Sequence, residues 1–495
     1  MRFSRVVFIL SYWLLASCMV GPDYRGPTVK LPKQFKEAKG NAFVEDQRKK
    51  WKIATPCDTC ARKQWWKIFN DPALDALEKE LNRCNQNIAN AYANYSQARA
   101  IVDEARASLY PSLSGTFNFV RQLTGGGAVA FINPANGVAA SGTGLAKGAI
   151  HNFFTGFLNA SWEPDIWGLV RRTIESNASL AQADQALLAA TRLSAQGSMA
   201  QYYFELRALD RDQKLLDDTV SGYRKMLKLT RNQYASGVVS EADVLQAQTQ
   251  LETAQAQAIN NGILRSQYEH AIAVLIGRPP ADFSLAFNPI KAKPPIIPVA
   301  VPSVWLERRP DVAQAERLMQ QANAQVGIAV AAYFPLLTLT ASISATGNTL
   351  HQLINNPAIS WSYGSQLTET IFDGGLRSAA VRAAKAGYRA QVASYRQTIL
   401  AALQNVEDNL VALRLLKKEG VVLNLAAKNA AKALKLVINQ YQAGTVPYSS
   451  VISAQIALYS AQKSAYDVVG QQMTSAVALV MALGGGWSAK DIIAV

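Results

Sequence analysis

Lys225-Met226-Leu227-Lys228-Leu229-Thr230-Arg231-Asn232-Gln233-Tyr234-Ala235-Ser236-Gly237 recurs as Lys432-Ala433-Leu434-Lys435-Leu436-Val437-Ile438-Asn439-Gln440-Tyr441-Gln442-Ala443-Gly444. The register continues past the glycine, where Val244, Ala247, Gln248, Leu251, Ala254 and Gln255 correspond to Val451, Ala454, Gln455, Leu458, Ala461 and Gln462. Self-similarity of this kind decides the architecture, because a copied unit carries a copied burial pattern. Two similar hairpins of long helix build one object, and a duplicated pattern suits a symmetric wall better than a catalytic pocket.

Outward from the repeat, proline-free helical patterns rich in Ala, Leu, Gln and Arg run over about 168–237 and about 374–444. At about 1.5 Å per residue each spans roughly 100 Å, a length that points to coiled-coil packing. Alanine stripes (Ala181, Ala183, Ala186, Ala189, Ala190 and Ala379, Ala380, Ala383, Ala384, Ala386) would let backbones approach closely. Gly237 and Gly444 fit left-handed C-caps. Ser240 and Pro447 then suit the start of a return helix. The return helices end near Gly277 and Gly484 and are about half as long as the long ones. A shorter helix precedes each unit, over about 87–109 and 311–333, with Ala91, Ala98, Val102 and Ala105 matching Ala315, Ala322, Val326 and Ala329. A short helix and a return helix stacked end to end would match one long helix.

Pro111 and Pro335 stop these shorter helices, and the period then changes to two. Leu337, Leu339, Ala341, Ile343 and Ala345 alternate with Thr338, Thr340, Ser342, Ser344 and Thr346. Leu113, Gly115, Phe117 and Phe119 alternate with Ser114, Thr116 and Asn118. Loops at 125–148 and 347–357 lead to second strands over about 153–163 and 359–371. One apolar face, one hydroxyl face and about ten residues describe a membrane β-barrel strand. Four strands cannot close a barrel, and an open sheet in lipid exposes unpaired edges. The expected solution is a trimer of twelve strands and twelve helical columns.

Residues 1–17 read as a signal peptide, with Arg2 and Arg5 before a short apolar run over 6–15. The segment ends Leu15-Ala16-Ser17-Cys18, which resembles a lipoprotein signal with Cys18 as the lipidated residue. Met19 in place of the retention-associated aspartate favours the outer membrane. No later stretch reads as a transmembrane helix. The net charge of +15 is scattered along helices, without a basic block interleaved with aromatics, which argues against nucleic acid. Cys57 and Cys60 have redox-motif spacing but lie in a Pro-containing lead-in. An oxidising compartment favours a structural disulfide among Cys57, Cys60 and Cys84, with the pairing open. The three histidines give a metal site little support.

The ordered motifs complete the pattern: Cys18-Met19-Val20-Gly21-Pro22-Asp23-Tyr24 with Pro27; Trp65-Trp66-Lys67-Ile68-Phe69-Asn70-Asp71-Pro72-Ala73-Leu74; Trp162-Glu163-Pro164-Asp165-Ile166-Trp167-Gly168; Arg308-Arg309-Pro310-Asp311-Val312; and Ile371-Phe372-Asp373-Gly374-Gly375-Leu376-Arg377. With them the chain resembles the TolC-type outer-membrane efflux channels, in the lipoprotein branch related to NodT. The resemblance covers essentially the whole mature chain. It implies a homotrimer with a twelve-stranded barrel, a long α-helical tunnel in the periplasm and a mixed α/β equatorial belt. It also implies a periplasmic adaptor (membrane fusion) protein and an inner-membrane RND-type pump as partners, with drugs or other toxic solutes as cargo. Energy comes from the pump, so no catalytic residue, cofactor or metal is expected.

Such a chain divides into a signal peptide (1–17), a lipidated N-terminus and equatorial segment (18–86), a first repeat (87–277), an equatorial linker (278–309), a second repeat (310–484) and an equatorial tail (485–495). The resemblance places the periplasmic gate at the helical tips, with Tyr234, Gly237, Glu241, Asp243, Tyr441, Gly444, Ser450 and Ser453 as candidates. Many members carry an acidic ring on the inner hairpin, where this chain has Ser450 and Ser453. Acid remains on the other hairpin, at Glu241 and Asp243. Packing alone would account for Tyr234 and Tyr441, and helix-dipole complementarity for the two acids. Three rivals remain: an exit duct for type I protein secretion, a lipidated periplasmic adaptor, and a CxxC thiol oxidoreductase.

Overall fold

The computed structural model describes residues 19–27, 32, 35–37, 62–124, 129–132, 139–142, 149–290, 294–295, 297 and 309–485. Cys18, Cys57 and Cys60 lie outside the described residues. Among those residues the elements run α1 (Pro72–Cys84), α2 (Gln86–Ala107), β1 (Ser112–Thr124), β2 (Val129–Ile132), β3 (Ala139–Gly142), β4 (Ala149–Trp162), α3 (Leu169–Ala235), α4 (Glu241–Leu275), α5 (Pro310–Ala331), β5 (Leu336–Gly347), α6 (Leu350–Asn355), β6 (Ala358–Thr368), α7 (Leu376–Gln442) and α8 (Tyr448–Ala482). The long helices α3 and α7 have 67 residues each, and the return helices α4 and α8 have 35 each. The duplication is therefore structural. Two details depart from expectation: the first loop contains its own small hairpin, β2 with β3, and the second contains the short helix α6. Neither follows a repeated pattern, so periodicity gave no sign of them.

The chain folds as two compact units. The first comprises residues 1–25, 99–178 and 320–389 and holds an antiparallel sheet in the order β1-β4-β5-β6. Its register sorts the side chains. Leu113 lies opposite Ala160, Gly115 opposite Leu158 and Phe119 opposite Phe154. Leu158 in turn pairs with Ile343, and Ile343 with Trp361. All of these project from one face, because residues in register share a side of the pleat. The other face carries Ser114, Asn159, Ser342 and Ser362 in one row, with the Ser342 and Ser362 hydroxyls 2.8 Å apart. The apolar face is open to its surroundings: Phe117, Ile343, Trp361 and Tyr363 are all exposed. β1 and β6 are the edges, each bonded on one side only.

Both strand-to-helix turns use the same clamp. Asp165 accepts from Val170 N and Arg171 N, and also from Arg171 Nε, each at 3.0 Å. Asp373 accepts from Gly375 N at 2.8 Å, Arg377 N at 3.2 Å and Arg377 Nε at 2.6 Å. The Arg377 guanidinium, then those two amides, hold the Asp373 carboxyl down at about 2. An arginine, six positions on from Asp165 and four from Asp373, completes each clamp. Trp162 and Trp167 tie the junction to the chain before the strands, donating to Leu109 O at 3.0 Å and Pro335 O at 2.9 Å.

The second unit comprises residues 26–98, 179–319 and 390–495. Its main core joins Trp65, Trp66, Phe69, Leu74 and Leu81 to Met199, Tyr203 and Phe204 of α3 and Met473 and Val477 of α8. Asp71 caps α1 at Ala73 N and Leu74 N, and its other oxygen accepts from Tyr203 OH at 2.7 Å. The Trp-Trp motif is thus core packing. Ala183 and Ala186 are buried, whereas Ala390 and Ala393, at the same repeat positions of α7, are exposed. Cys84 forms no disulfide among the described residues.

Glu78 of α1 is fully buried beside Leu74, Leu77 and Leu81, and neither carboxyl oxygen has a hydrogen-bond partner. Burial, with Asp75 adding to it, pushes its pKa up to about 9 from an ordinary 4.5. The folded state therefore holds the proton that the unfolded chain releases near 4.5. The contribution of the protonated form is complete below 4.5 and is lost as pH rises towards about 9. Glu78→Gln removes that dependence, so its thermal stability relative to wild type should rise between pH 5 and pH 8. Paired unfolding curves in detergent at the two pH values measure it; an offset that does not change with pH contradicts the buried-acid reading.

Candidate functional site

The candidate site is the pair of turns that the repeat generates in the second unit. Each long helix closes in the same way. Gly237 N donates to Tyr234 O and Val238 N to Gln233 O, while Gly444 N donates to Tyr441 O and Thr445 N to Gln440 O. Gly237 has φ +74° and Gly444 φ +72°, the left-handed conformation that this closure requires.

The return helices then start differently. Ser240 forms a reciprocal capping box with Asp243: Asp243 N donates to Ser240 Oγ at 3.3 Å, and Asp243 Oδ2 accepts from Ser240 N at 3.0 Å. The Ser240 hydroxyl also bonds that oxygen at 2.8 Å. Asp243 is thereby committed to holding the turn. Glu241 in the same first turn is exposed. Pro447 caps α8 without a side-chain hydrogen bond. Ser450 is half-buried, and the exposed Ser453 turns its hydroxyl back to Ser449 O at 3.0 Å.

The two repeat tyrosines also diverge. Tyr441 is 6 % exposed and Tyr234 is 47 % exposed. Tyr441 packs in a cluster with Tyr223, Met226, Leu251, Tyr448 and Val451, its ring centroid 5.5 Å from that of Tyr448. Its hydroxyl donates to Gln233 Oε1 at 2.8 Å, which joins the end of α7 to the end of α3. Burial pushes the Tyr448 phenol up to about 12 and raises those of Tyr223 and Tyr441, so the three phenols are neutral. Sequence reasoning found Tyr441 but missed Gln233 and Tyr448. Gln233 is part of the repeated motif, so its counterpart Gln440 disguised it as a shared packing residue. Tyr448 has no counterpart and so no signal. Among the described residues no group of His, Cys, Asp or Glu is arranged to hold a metal, and no helix is long and apolar enough to cross a membrane.

A sheet with one apolar and one hydroxyl face, on a duplicated long-helix scaffold, matches a known family. Residues 77–278 and 301–485 fit the family described as outer membrane efflux protein. The chain belongs to the outer membrane efflux protein family. Antibiotic efflux pump outer membrane protein ArpC of Pseudomonas putida is 29 % identical over 98 % of this chain and 96 % of its own length. Nodulation protein T of Rhizobium leguminosarum bv. trifolii is 26 % identical over 99 % and 98 %. Among solved structures, the outer-membrane channel OprN superposes with a TM-score of 0.81 at 26 % identity, covering 95 % of this chain and all of that one. This efflux protein is accordingly an outer-membrane channel, with the barrel-and-tunnel fold of its structural relatives. Family membership favours the channel over the lipidated adaptor and the thiol oxidoreductase.

Proposed function

We propose that three copies of this chain close into a passive exit duct. The observation that carries the reading is the sheet: four strands, two unpaired edges, and apolar and hydroxyl rows sorted to opposite faces. Joining β1 of one copy to β6 of the next satisfies both edges and closes a twelve-stranded barrel with lipid outside and water within. The bare Ala390 and Ala393 of α7 support the same assembly, since Ala183 and Ala186 at the same positions of α3 are already covered inside the protomer.

The duct carries drugs or other toxic small solutes from an RND-type pump in the inner membrane, through a periplasmic adaptor. Relatives named for antibiotic and toluene efflux favour this cargo over secreted protein. Cys18 carries the lipid that anchors the N-terminus to the outer membrane. Tyr441, Gly444 and the start of α8 form the movable inner hairpin of the gate, with Tyr234, Gly237, Glu241 and Asp243 on the other. The lead test is reconstitution of the mature protein in a planar bilayer. A stable trimer with discrete conductance is expected; neither a trimer nor a current would sink the proposal.

The inner hairpin lacks acid at Ser450 and Ser453. Introducing Ser450→Asp with Ser453→Asp places six carboxylates around the axis of a trimer. Cation selectivity and divalent block should then rise several-fold in the same bilayers. Unchanged reversal potentials would mean that these positions do not face the lumen.

A further inference from the structure

Arg172, in the first turn of α3, is among the most buried large side chains of the protein, with 1 % of it exposed. A guanidinium is buried only where its donors are met. Its partners come mostly from a segment far away in sequence. Nε donates to Val20 O at 3.1 Å, and Nη2 donates to Gly21 O at 3.2 Å and Asp23 Oδ1 at 3.0 Å. Nη1 donates to Glu175 Oε2 at 2.7 Å. Two further bonds hold the same segment: Val20 N donates to Trp167 O at 3.1 Å, and the buried Asn323 donates from Nδ2 to Pro22 O at 2.9 Å.

Glycines shape the contact. Gly21 has φ +93°, and a Cβ there would lie 2.5 Å from the Gly327 Cα. A Cβ on Gly327 would lie 2.8 Å from the Arg172 side chain, and one on Gly168 would lie 2.7 Å from Met19. Arg172, Asn323, Gly168 and Gly327 thus form a glycine-floored slot whose donors meet the carbonyls of Val20, Gly21 and Pro22 and the Asp23 carboxylate. Without that peptide Arg172 would keep only Glu175 of these acceptors. All of these groups belong to the first unit.

We propose that this slot is a docking site for the protein's own mature N-terminus. Its ligand is the backbone of residues 19–23, bent at Gly21, and its effect is to hold Met19 beside the Trp167-Gly168 strand-to-helix turn. Resting on the reading of Cys18 as the lipidated residue, the slot sets where the anchor enters the membrane relative to the sheet. Arg172 is a positioning residue, acting through the peptide backbone and not through the lipid.

Hydrogen exchange on the full mature protein in detergent, followed on a peptide covering residues 19–24, tests this. Slow exchange is expected in wild type and equally in Cys18→Ser, which lacks the lipid site but keeps the peptide. Arg172→Ala should exchange about tenfold faster or more there, since a lost charge-assisted contact opens the segment locally. Gly21→Val leaves Arg172 and α3 unaltered yet blocks docking, so it should match Arg172→Ala while peptides from α5 stay protected. Free exchange in wild type, or undiminished protection in Gly21→Val, overturns the proposal. Lost protection in Cys18→Ser also overturns it, because the lipid would then be what holds the segment. Incorporation of labelled palmitate reads the anchor separately: its absence from wild type removes the lipidation reading and leaves the docking result standing.

Discussion

Ile343→Lys is expected to abolish channel assembly, whereas lysine one residue earlier, at Ser342, should leave a working channel. The two side chains are neighbours in β5 but project from opposite faces. Ile343 sits in the row with Leu158 and Trp361, and Ser342 in the row with Asn159 and Ser362. If the first row faces lipid, a lysine near the bilayer midplane costs about 2–4 kcal/mol per copy, and a symmetric trimer incurs that cost three times. If the second row faces the lumen, Ser342→Lys lines a hydrated pore with added positive charge. SDS-resistant trimers should disappear for Ile343→Lys and persist for Ser342→Lys, with the reversal potential of the latter shifted toward anions. Equal behaviour of the two variants would refute the assignment of the faces.

The gate reading expects a comparably graded result at the hairpin tips. Tyr441→Phe keeps the ring and removes the bond to Gln233. Loss of about 1 kcal/mol should raise the open population about fivefold. Tyr441→Ala also empties the cluster around Tyr448 and Val451, and a buried aromatic truncation of about 3 kcal/mol corresponds to roughly a hundredfold. Tyr234→Ala is the control. It occupies the same repeat position but is half exposed, so it should change opening by no more than about 2.3-fold, as exposed substitutions shift stability by at most about 0.5 kcal/mol. Open probability in bilayers and entry of a bulky antibiotic into whole cells measure the series. Were Tyr234→Ala to open the channel as much as Tyr441→Ala, the gate would not lie in the buried cluster.

Much of the fold was legible because it is written in short-range code. The 3.6 and 2 periodicities, the glycines past the helix ends and the prolines before the strands are local signals, and each was present twice. The candidate site was legible only as a place. Tyr234 and Tyr441 read alike, yet one is exposed and the other bonds across to Gln233. Asp243 read as a possible lining charge, while its carboxylate is held by Ser240 at the helix start. Arg172 stood beside Arg171 as one of two basic residues in a helical turn, with nothing local to distinguish a clamp on Asp165 from a buried anchor for residues 20–23.

By itself the sequence determined that this is a duplicated helix-and-strand chain with one apolar strand face, and therefore a wall unit and not an enclosed pocket. Those properties follow from period and from backbone chemistry, which each segment carries alone. Only the tertiary structure decided which copy of each matched pair is buried, which carboxylates are already engaged, and what lies over Arg172. Burial and hydrogen-bond partnership depend on segments hundreds of residues apart arriving at one place, and no local pattern records who the neighbour will be.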